Sequence, residues 1–206
     1  MKRPLIKICG ITSKHDLNFC QDKEVDLTGF IFHPSSPRYV DPVVVGQWEK
    51  KAELRVGVFV KKKPHEIMEI IKRARLDLVQ LHGGQDEDFC RKIGPERVIR
   101  AFWPERYDSV KDFEKELESF TDVCRYYLLD AGTSSGGHGR GIVSPWLGDL
   151  KIVKPWLLAG GLGPDNIHKN LDRGMTGLDL NSGVEQAPGV KDHEKITQVM
   201  EILAEP

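Results

Sequence analysis

The chain has 206 residues, 30% of them charged and 39% hydrophobic, with a formal net charge of −1 at pH 7. This length and composition predict one globular domain with its own hydrophobic core. The balanced charge argues against a nucleic-acid-binding protein that relies on bulk electrostatics. No apolar run approaches the roughly 20 residues that span a bilayer. Because Lys7 interrupts the first apolar run, we also expect no signal peptide.

The chain contains four widely spaced cysteines and no CxxC pair. They are Cys9, Cys20, Cys90 and Cys124. This spacing fits neither the disulfide framework of a small secreted domain nor a zinc site. We therefore expect a cytoplasmic protein with reduced thiols and no bound metal.

Short apolar runs recur along the chain, and each is followed by turn residues and then by an amphipathic stretch or space for one. They predict eight strands, over residues 5–9, 26–32, 54–60, 76–83, 97–103, 123–131, 155–161 and 176–183. The intervening stretches predict helices over 13–22, from 41 onward, and over 63–74, 85–94, 108–119, 163–174 and 191–203. Ser13 is placed to cap the first helix, and Pro42 lies at a favourable first-turn position of the second.

Strict alternation of strand and helix implies parallel strands joined by right-handed crossovers. Eight such units favour a closed (β/α)8 barrel, a TIM barrel, in a single domain spanning residues 1–206. An open doubly wound sheet is the structural alternative. The chain shows no clear internal repeat, and its low-complexity segment is the glycine-rich stretch 132–141.

In a (β/α)8 barrel the functional residues lie at the carboxyl ends of the strands. Here those ends carry Cys9, His33, His82, Asp130, Gly160, Gly161, Asn181, Ser182 and Gly183. The glycine-rich turns after strands seven and eight have the composition and position of a phosphate site. The alternative is that these glycines only permit tight turns.

Two of these residues are candidates for proton transfer. A desolvated carboxyl group such as that of Asp130 can act as a general acid, although loop capping is the commoner role of aspartate. Cys9 can act as a base only if its thiol ionises; otherwise it is buried filler. Cys20, Cys90 and Cys124 are predicted to be filler.

Two further candidates are cationic or polar side chains near the same strand ends. Arg38, in the loop after strand two, has the fork geometry to bind a substrate carboxylate or phosphate, or it is a solvated loop charge. His82 either lines the pocket or ends its strand without a further role. The histidines predicted to be surface helix residues are His15, His65, His168 and His193.

Eight motifs together resemble one protein family. They are KICGIT, GFIFHPSSPRYV, VGVFV, VQLHG, LLDA, a GG-x-G loop, LAGGLGPDNI and SGVEQAPGVKD, and they run from residue 7 to residue 192. In this order they resemble phosphoribosylanthranilate isomerase. The resemblance implies a (β/α)8 barrel of tryptophan biosynthesis that converts N-(5-phosphoribosyl)anthranilate to 1-(2-carboxyphenylamino)-1-deoxyribulose 5-phosphate, an Amadori rearrangement, without cofactor or metal.

The same resemblance assigns roles to residues. Cys9 corresponds to the family's general base and Asp130 to its general acid, while Arg38 corresponds to the arginine that contacts the anthranilate. The substrate-binding set is completed by His82 and by the phosphate loops, Gly160, Gly161, Asn181, Ser182 and Gly183. The resemblance implies that the protein binds a small phosphorylated molecule and not nucleic acid or a membrane. We expect the protein to be a monomer, with a homodimer as the alternative.

Two positions depart from the family pattern. Asn181 stands where serine is usual, which is tolerable if the main-chain N–H binds the phosphate. The sixth loop keeps Gly137 and Gly139, has Arg140 in place of lysine, and carries an unusual His138. The alternatives are a related barrel, the histidine-pathway aldose isomerase, in which we expect two aspartates as acid and base, and a catalytically inactive barrel kept for binding.

Overall fold

The eight predicted strands are present and form a closed barrel of parallel strands. The computed structural model describes residues 3–130 and 150–204. The strands are β1 (Leu5–Ile8), β2 (Leu27–Ile31), β3 (Leu54–Phe59), β4 (Leu78–Leu81), β5 (Val98–Phe102), β6 (Tyr126–Asp130), β7 (Trp156–Ala159) and β8 (Gly177–Leu180). Each strand pairs with the next in chain order, and β1 pairs with β8 to close the barrel. The prediction of a (β/α)8 barrel is therefore confirmed.

The described residues form six α-helices, α1 (Lys14–Asp22), α2 (Pro42–Gln47), α3 (Pro64–Ala74), α4 (Glu87–Ile93), α5 (Val110–Ser119) and α6 (His193–Ala204). The predicted N-cap is confirmed, because the Ser13 side chain accepts the N–H of Asp16 at 3.0 Å. Asp41 caps α2 in the same way, one residue before Pro42. No helix in the described ranges is long and apolar enough to cross a membrane.

The segment after β7, which was predicted to be a helix, is helical but of a different type. It is a 3-10 helix, Ile167–Arg173, and not an α-helix. Asn166 donates its side-chain amide to the carbonyl of Gly161 and accepts the N–H of Gly163, both at 3.0 Å. Such side-chain bonds to the local backbone compete with α-helix formation, and they fix the turn that follows β7.

Side chains alternate between the inside and the outside of the barrel because successive residues of a strand point to opposite faces. One buried cluster fills the barrel interior and includes Val56, Leu78, Ile99, Leu128 and Leu157. A larger cluster packs the strands against the helices. On β1 the inward positions are occupied by Leu5 and Lys7, and the next position in this alternation is Cys9.

An antiparallel hairpin that the sequence analysis did not predict follows β8. It consists of β9 (Glu185–Ala187) and β10 (Val190–Lys191), and Gly189 turns the chain between them with a φ of +84°. A 3-10 helix, Ser182–Val184, connects β8 to this hairpin. The hairpin therefore starts at the barrel mouth and brings its own charged side chains there.

Candidate active site

Two glycines leave space near the carboxyl end of β1, one beside the Cys9 thiol and one beside Asn181. Cys9 is only 4% exposed, and its backbone N–H donates to the carbonyl of Leu180 at 2.8 Å. Gly29, on the neighbouring β2, faces the thiol, and a Cβ at this position would lie 2.8 Å from Sγ. Gly10 has a φ of +74°, and a Cβ there would lie 2.7 Å from Oδ1 of Asn181. A side chain at position 29 would therefore collide with Cys9, and one at position 10 would collide with Asn181.

A buried ion pair lies beside this thiol. Lys7 shares the inward face of β1 with Cys9, and its Nζ lies 2.8 Å from Oδ1 of Asp179, its partner in β8. Burial is the largest influence on the pKa of Cys9 and raises it; the charge of Lys7 opposes burial, and the net shift is upward. Burial lowers the pKa of Lys7 more than any other single influence does, but Asp179 and Cys9 together outweigh it. Lys7 is therefore held as a cation against the thiol.

Asp130 lies across the mouth from Cys9, as the last residue of β6 and three strands away from β1. Its Oδ2 is 3.6 Å from Nε2 of His82, and Nε2 of Gln80 lies 3.3 Å from the other ring nitrogen of His82. With the Gln80 amide as donor, the imidazole carries its proton on Nε2, toward Asp130. Burial, and then the positive charges of Lys7 and two arginines, lower the pKa of His82 to about 4. His82 is therefore neutral at pH 7.

Arg38 is part of a chain of charged side chains along the same rim. Its Nε lies 2.9 Å and its Nη2 2.6 Å from the carboxylate of Glu185. Glu185 also accepts Nζ of Lys191 at 2.8 Å, and Lys191 donates to Oδ1 of Asn181 at 3.0 Å. Lys191 is 3% exposed. Burial has the largest effect on the pKa of Glu185 and raises it, but the bonds to Arg38 and Lys191 outweigh burial, so the net shift is downward.

The turns after β7 and β8 pack against each other through their backbones. A Cβ on Gly183 would lie 2.1 Å from the carbonyl oxygen of Leu162, and a Cβ on Gly163 would lie 2.5 Å from that of Gly183. Gly160 and Gly161 have φ angles of +117° and +68°. Such angles favour glycine, so both loops have specific backbone reasons for their composition.

These turns and the arginine line one open pocket of about 240 Å³. Its walls are formed by Arg38, Gly161, Ser182, Gly183, Glu185, Gln186, Ala187 and Pro188. Backbone groups of the two turns and a guanidinium on a single pocket suit a ligand that carries more than one anionic group.

The structure brings most of the predicted site residues to one mouth. Arg38, Asn181 and the two turns lie on the Cys9 side, and His82 lies beside Asp130. The sixth-loop positions, Gly137, Gly139 and Arg140, lie outside the described residues.

Several polar residues at this mouth were not singled out from the sequence. They are Lys7, Asp179, Glu185 and Lys191. Lys7 stands inside KICGIT, and Glu185 and Lys191 stand inside SGVEQAPGVKD. A charged residue at an inward strand position, as Lys7 is, is the one signal that alternation alone could have supplied.

A second cluster of polar side chains joins α1 to α6. Nε2 of His193 lies 2.8 Å from Oδ1 of Asp16, and the His193 ring stacks on Phe19 with centroids 3.8 Å apart. The ring of His15 also stacks on His193, and the ligand atoms of His15, Asp16 and His193 lie within 4.8 Å of one another. The two imidazole planes are 21° apart with centroids 4.8 Å from each other, so the two rings are stacked face to face, an arrangement in which their in-plane lone pairs lie in separate planes. We interpret the cluster as a contact that joins the first and last helices.

Fold and site together define a (β/α)8-barrel enzyme with its ionisable groups at the carboxyl ends of the strands. The family model described as N-(5'-phosphoribosyl)anthranilate isomerase matches residues 6–202, and the chain belongs to this family. It is 48% identical to the N-(5'-phosphoribosyl)anthranilate isomerase of Maridesulfovibrio salexigens, over 93% of this chain and 94% of that protein.

Two solved structures of phosphoribosyl anthranilate isomerases are also similar to this chain. The phosphoribosyl anthranilate isomerase of Thermus thermophilus superimposes with a TM-score of 0.81 at 31% identity, over 97% of this chain and 98% of that one. A second isomerase, solved in complex with reduced 1-(o-carboxyphenylamino)-1-deoxyribulose 5-phosphate, gives a TM-score of 0.77 at 32% identity, over 98% and 97% of the two chains. The family predicted from the eight motifs is thereby confirmed.

Proposed function

We propose that this chain converts N-(5-phosphoribosyl)anthranilate to 1-(2-carboxyphenylamino)-1-deoxyribulose 5-phosphate in tryptophan biosynthesis. The observation that carries the proposal is the placement of the Cys9 thiol and the Asp130 carboxyl at the ends of β1 and β6, on opposite sides of one mouth. The solved relative that holds the reduced product analogue supports a small-molecule substrate of this shape.

The reaction needs one acid and one base, which act in turn. Asp130 gives a proton to the furanose ring oxygen, the C1–O bond breaks, and the substrate nitrogen forms an iminium with C1. Cys9, as thiolate, then removes the proton on C2, and the electron pair of that C–H bond moves into the C1–C2 bond to give an enolamine. Tautomerisation of the enolamine gives the ketone. Each positioned proton-transfer group contributes about 10²–10⁴-fold to the rate.

The surroundings of each group suit these roles. Lys7 and Lys191 both lower the pKa of Cys9 against the effect of burial, so they stabilise the thiolate that the second step requires. The neutral His82 offers an Nε2–H beside Asp130. A neutral donor can orient the carboxyl group or the substrate oxygen without adding a charge to the mouth.

The two ends of the substrate have separate sites in this proposal. The turns that contain Gly160, Gly161, Asn181, Ser182 and Gly183 bind the phosphate through main-chain N–H groups. Arg38 binds the anthranilate carboxylate with its guanidinium fork. Support for these two roles comes from the pocket that Arg38 and residues of the two turns line together.

The thiols support a proposal for the compartment. All four cysteines are free and buried, which agrees with a reducing compartment, and we propose a cytoplasmic location. The monomer stays a prediction, which light scattering on the purified protein measures.

The test is turnover of phosphoribosylanthranilate generated in situ, followed by the loss of anthranilate-type fluorescence. Asp130→Asn and Cys9→Ser should each lower kcat by about 10²–10⁴-fold. Arg38→Ala should chiefly raise KM. Cys20→Ala is the matched control, because this thiol is also fully buried but lies on α1, and it should keep its kcat. Absence of turnover in the folded wild-type protein overturns the proposal, and equal effects of Cys20→Ala and Cys9→Ser remove the role of Cys9.

A further inference from the structure

The guanidinium of Arg38 is already held on one side by a carboxylate. Glu185 accepts from both Nε and Nη2 of Arg38, at 2.9 and 2.6 Å. A guanidinium has five N–H donors, so this pairing leaves the two hydrogens of Nη1 and the second hydrogen of Nη2 for another acceptor. Arg38 and Glu185 both line the pocket that also contains Gly161, Ser182 and Gly183.

Glu185 is itself fixed from the far side. Nζ of Lys191 lies 2.8 Å from Oε1 of Glu185, and the backbone N–H of Gly189 donates to the same oxygen at 3.2 Å. Lys191 reaches on to Oδ1 of Asn181 at 3.0 Å. The hairpin β9–β10 thus carries a short polar chain from the turn after β8 to the arginine in the loop after β2.

The charge of Lys191 matters to Arg38 although Lys191 bonds only to Glu185 and Asn181. Glu185 alone would cancel the charge of Arg38 and leave nothing to attract an anion. With Lys191 added, the three side chains have a net charge of +1. The buried pair Glu185–Lys191 is close to neutral as seen from the pocket, and it supplies orientation without removing the attraction.

We propose that Glu185, held by Lys191, is a positioning residue that fixes the Arg38 fork so that its Nη1 edge is presented to the substrate carboxylate. The proposal rests on the role of Arg38 given above. Fixing the side chain before substrate binds removes the cost of ordering a long, flexible residue during binding, so the benefit falls on KM. Asn181, which takes a Lys191 hydrogen bond, ties this arrangement to the turn proposed to bind phosphate.

The experiment is a double-mutant cycle on KM with Glu185→Gln, Arg38→Ala and the double variant. Glu185→Gln should raise KM by about three- to tenfold and change kcat much less. In the Arg38→Ala background Glu185→Gln should add nothing, because the residue through which it acts is gone. Equal effects of Glu185→Gln in the two backgrounds, or an unchanged or lowered KM in the wild-type background, overturn the inference.

Two further variants distinguish a specific effect on KM from a general loss of stability. Glu185→Gln combined with Lys191→Met removes both buried charges together, so neither is left unpaired, and it should raise KM as Glu185→Gln does. Glu53→Gln is the matched control: Glu53 is also buried and faces Arg55, at 3.7 Å, away from the mouth. It should lower the Tm and leave KM unchanged.

The outcomes separate this inference from the proposed function. If Arg38→Ala itself leaves KM unchanged, the role of Arg38 fails and this inference fails with it. If Arg38→Ala raises KM and Glu185→Gln does not, the proposed function stands and only the inference is overturned. A KM change in Glu53→Gln as large as that in Glu185→Gln also overturns it, because a buried carboxylate anywhere would then have the same effect.

Discussion

Gly29→Ala tests the position of the thiol without replacing any ionisable group. Gly29 is in the middle of β2, and the added methyl would lie 2.8 Å from Sγ, 3.0 Å from Cα and 3.2 Å from Cβ of Cys9. Carbon and neighbouring heavy atoms prefer about 3.5–4.0 Å, so the methyl and the thiol overlap by about 1 Å. Because two of the three contacts are with Cα and Cβ, rotating the thiol does not relieve the overlap, and Cys9 must move.

Two magnitudes follow from this overlap. Overpacking of a closely packed site costs about 1–3 kcal/mol, and each kcal/mol lowers the Tm of a chain of this size by about 2–4 °C. Displacing a reacting group by about 1 Å costs about 10²-fold in rate. We therefore expect Gly29→Ala to fold with a Tm lowered by roughly 2–12 °C and to lose about 10²-fold in kcat.

The assay is the anthranilate-type fluorescence change for kcat, with a thermal melt on the same preparation. Gly57→Ala is the matched control, since its methyl would lie 2.5 Å from Leu76 and 2.7 Å from the ring of Phe59. It should lower the Tm by a similar amount and leave kcat nearly unchanged. If Gly29→Ala is folded and turns over at the wild-type rate, or if both variants lose the same kcat, the placement of Cys9 as the base is refuted.

Three further predictions concern other parts of the mouth. Burial lowers the pKa of His82 to about 4 from its usual 6.5, so between these pH values the ring is neutral in the folded protein and protonated in the unfolded chain. The free energy of unfolding should therefore fall as the pH falls from 6.5 toward 4. A His82 ring that titrates near 6.5 by NMR would contradict this reasoning. Lys191→Met removes a positive charge that lowers the pKa of Cys9. The rising limb of the kcat–pH profile should therefore move to higher pH. A move to lower pH would show that Cys9 does not act as thiolate. Gly183→Ala places a methyl group 2.1 Å from the carbonyl oxygen of Leu162, so it should push apart the turns after β7 and β8. KM should then rise by about tenfold or more. An unchanged KM would show that these turns do not bind substrate.

The sequence predicted the barrel because its signal is local and repeated. Each strand is a short apolar run, and the order of strand and helix leaves few topologies. The strand ends at Cys9, His82 and Asp130 could be located for the same reason, since position along a strand fixes position in a parallel barrel.

The polar network could not be predicted in the same way, because its contacts are long-range. The residues that bond to one another are far apart along the chain: Arg38 and Glu185 are 147 positions apart, and Lys7 and Asp179 are 172 apart. Neither pair follows from periodicity, which carries no information on which charges meet. The hairpin β9–β10 was missed because it has only three and two residues in its strands, too few for an alternating pattern to show.

The charges around Cys9 also fix the order of the two proposed proton transfers. Burial raises the pKa of the thiol more than Lys7 and Lys191 lower it, so the net shift is upward and opposes ionisation. The cation that favours its ionisation further is the iminium, which exists only after Asp130 has protonated the ring oxygen and the ring has opened. Cys9, as thiolate, then takes the C2 proton, which the same iminium has made acidic. The acid step must therefore precede the base step, because the C2 proton becomes acidic only once the iminium has formed.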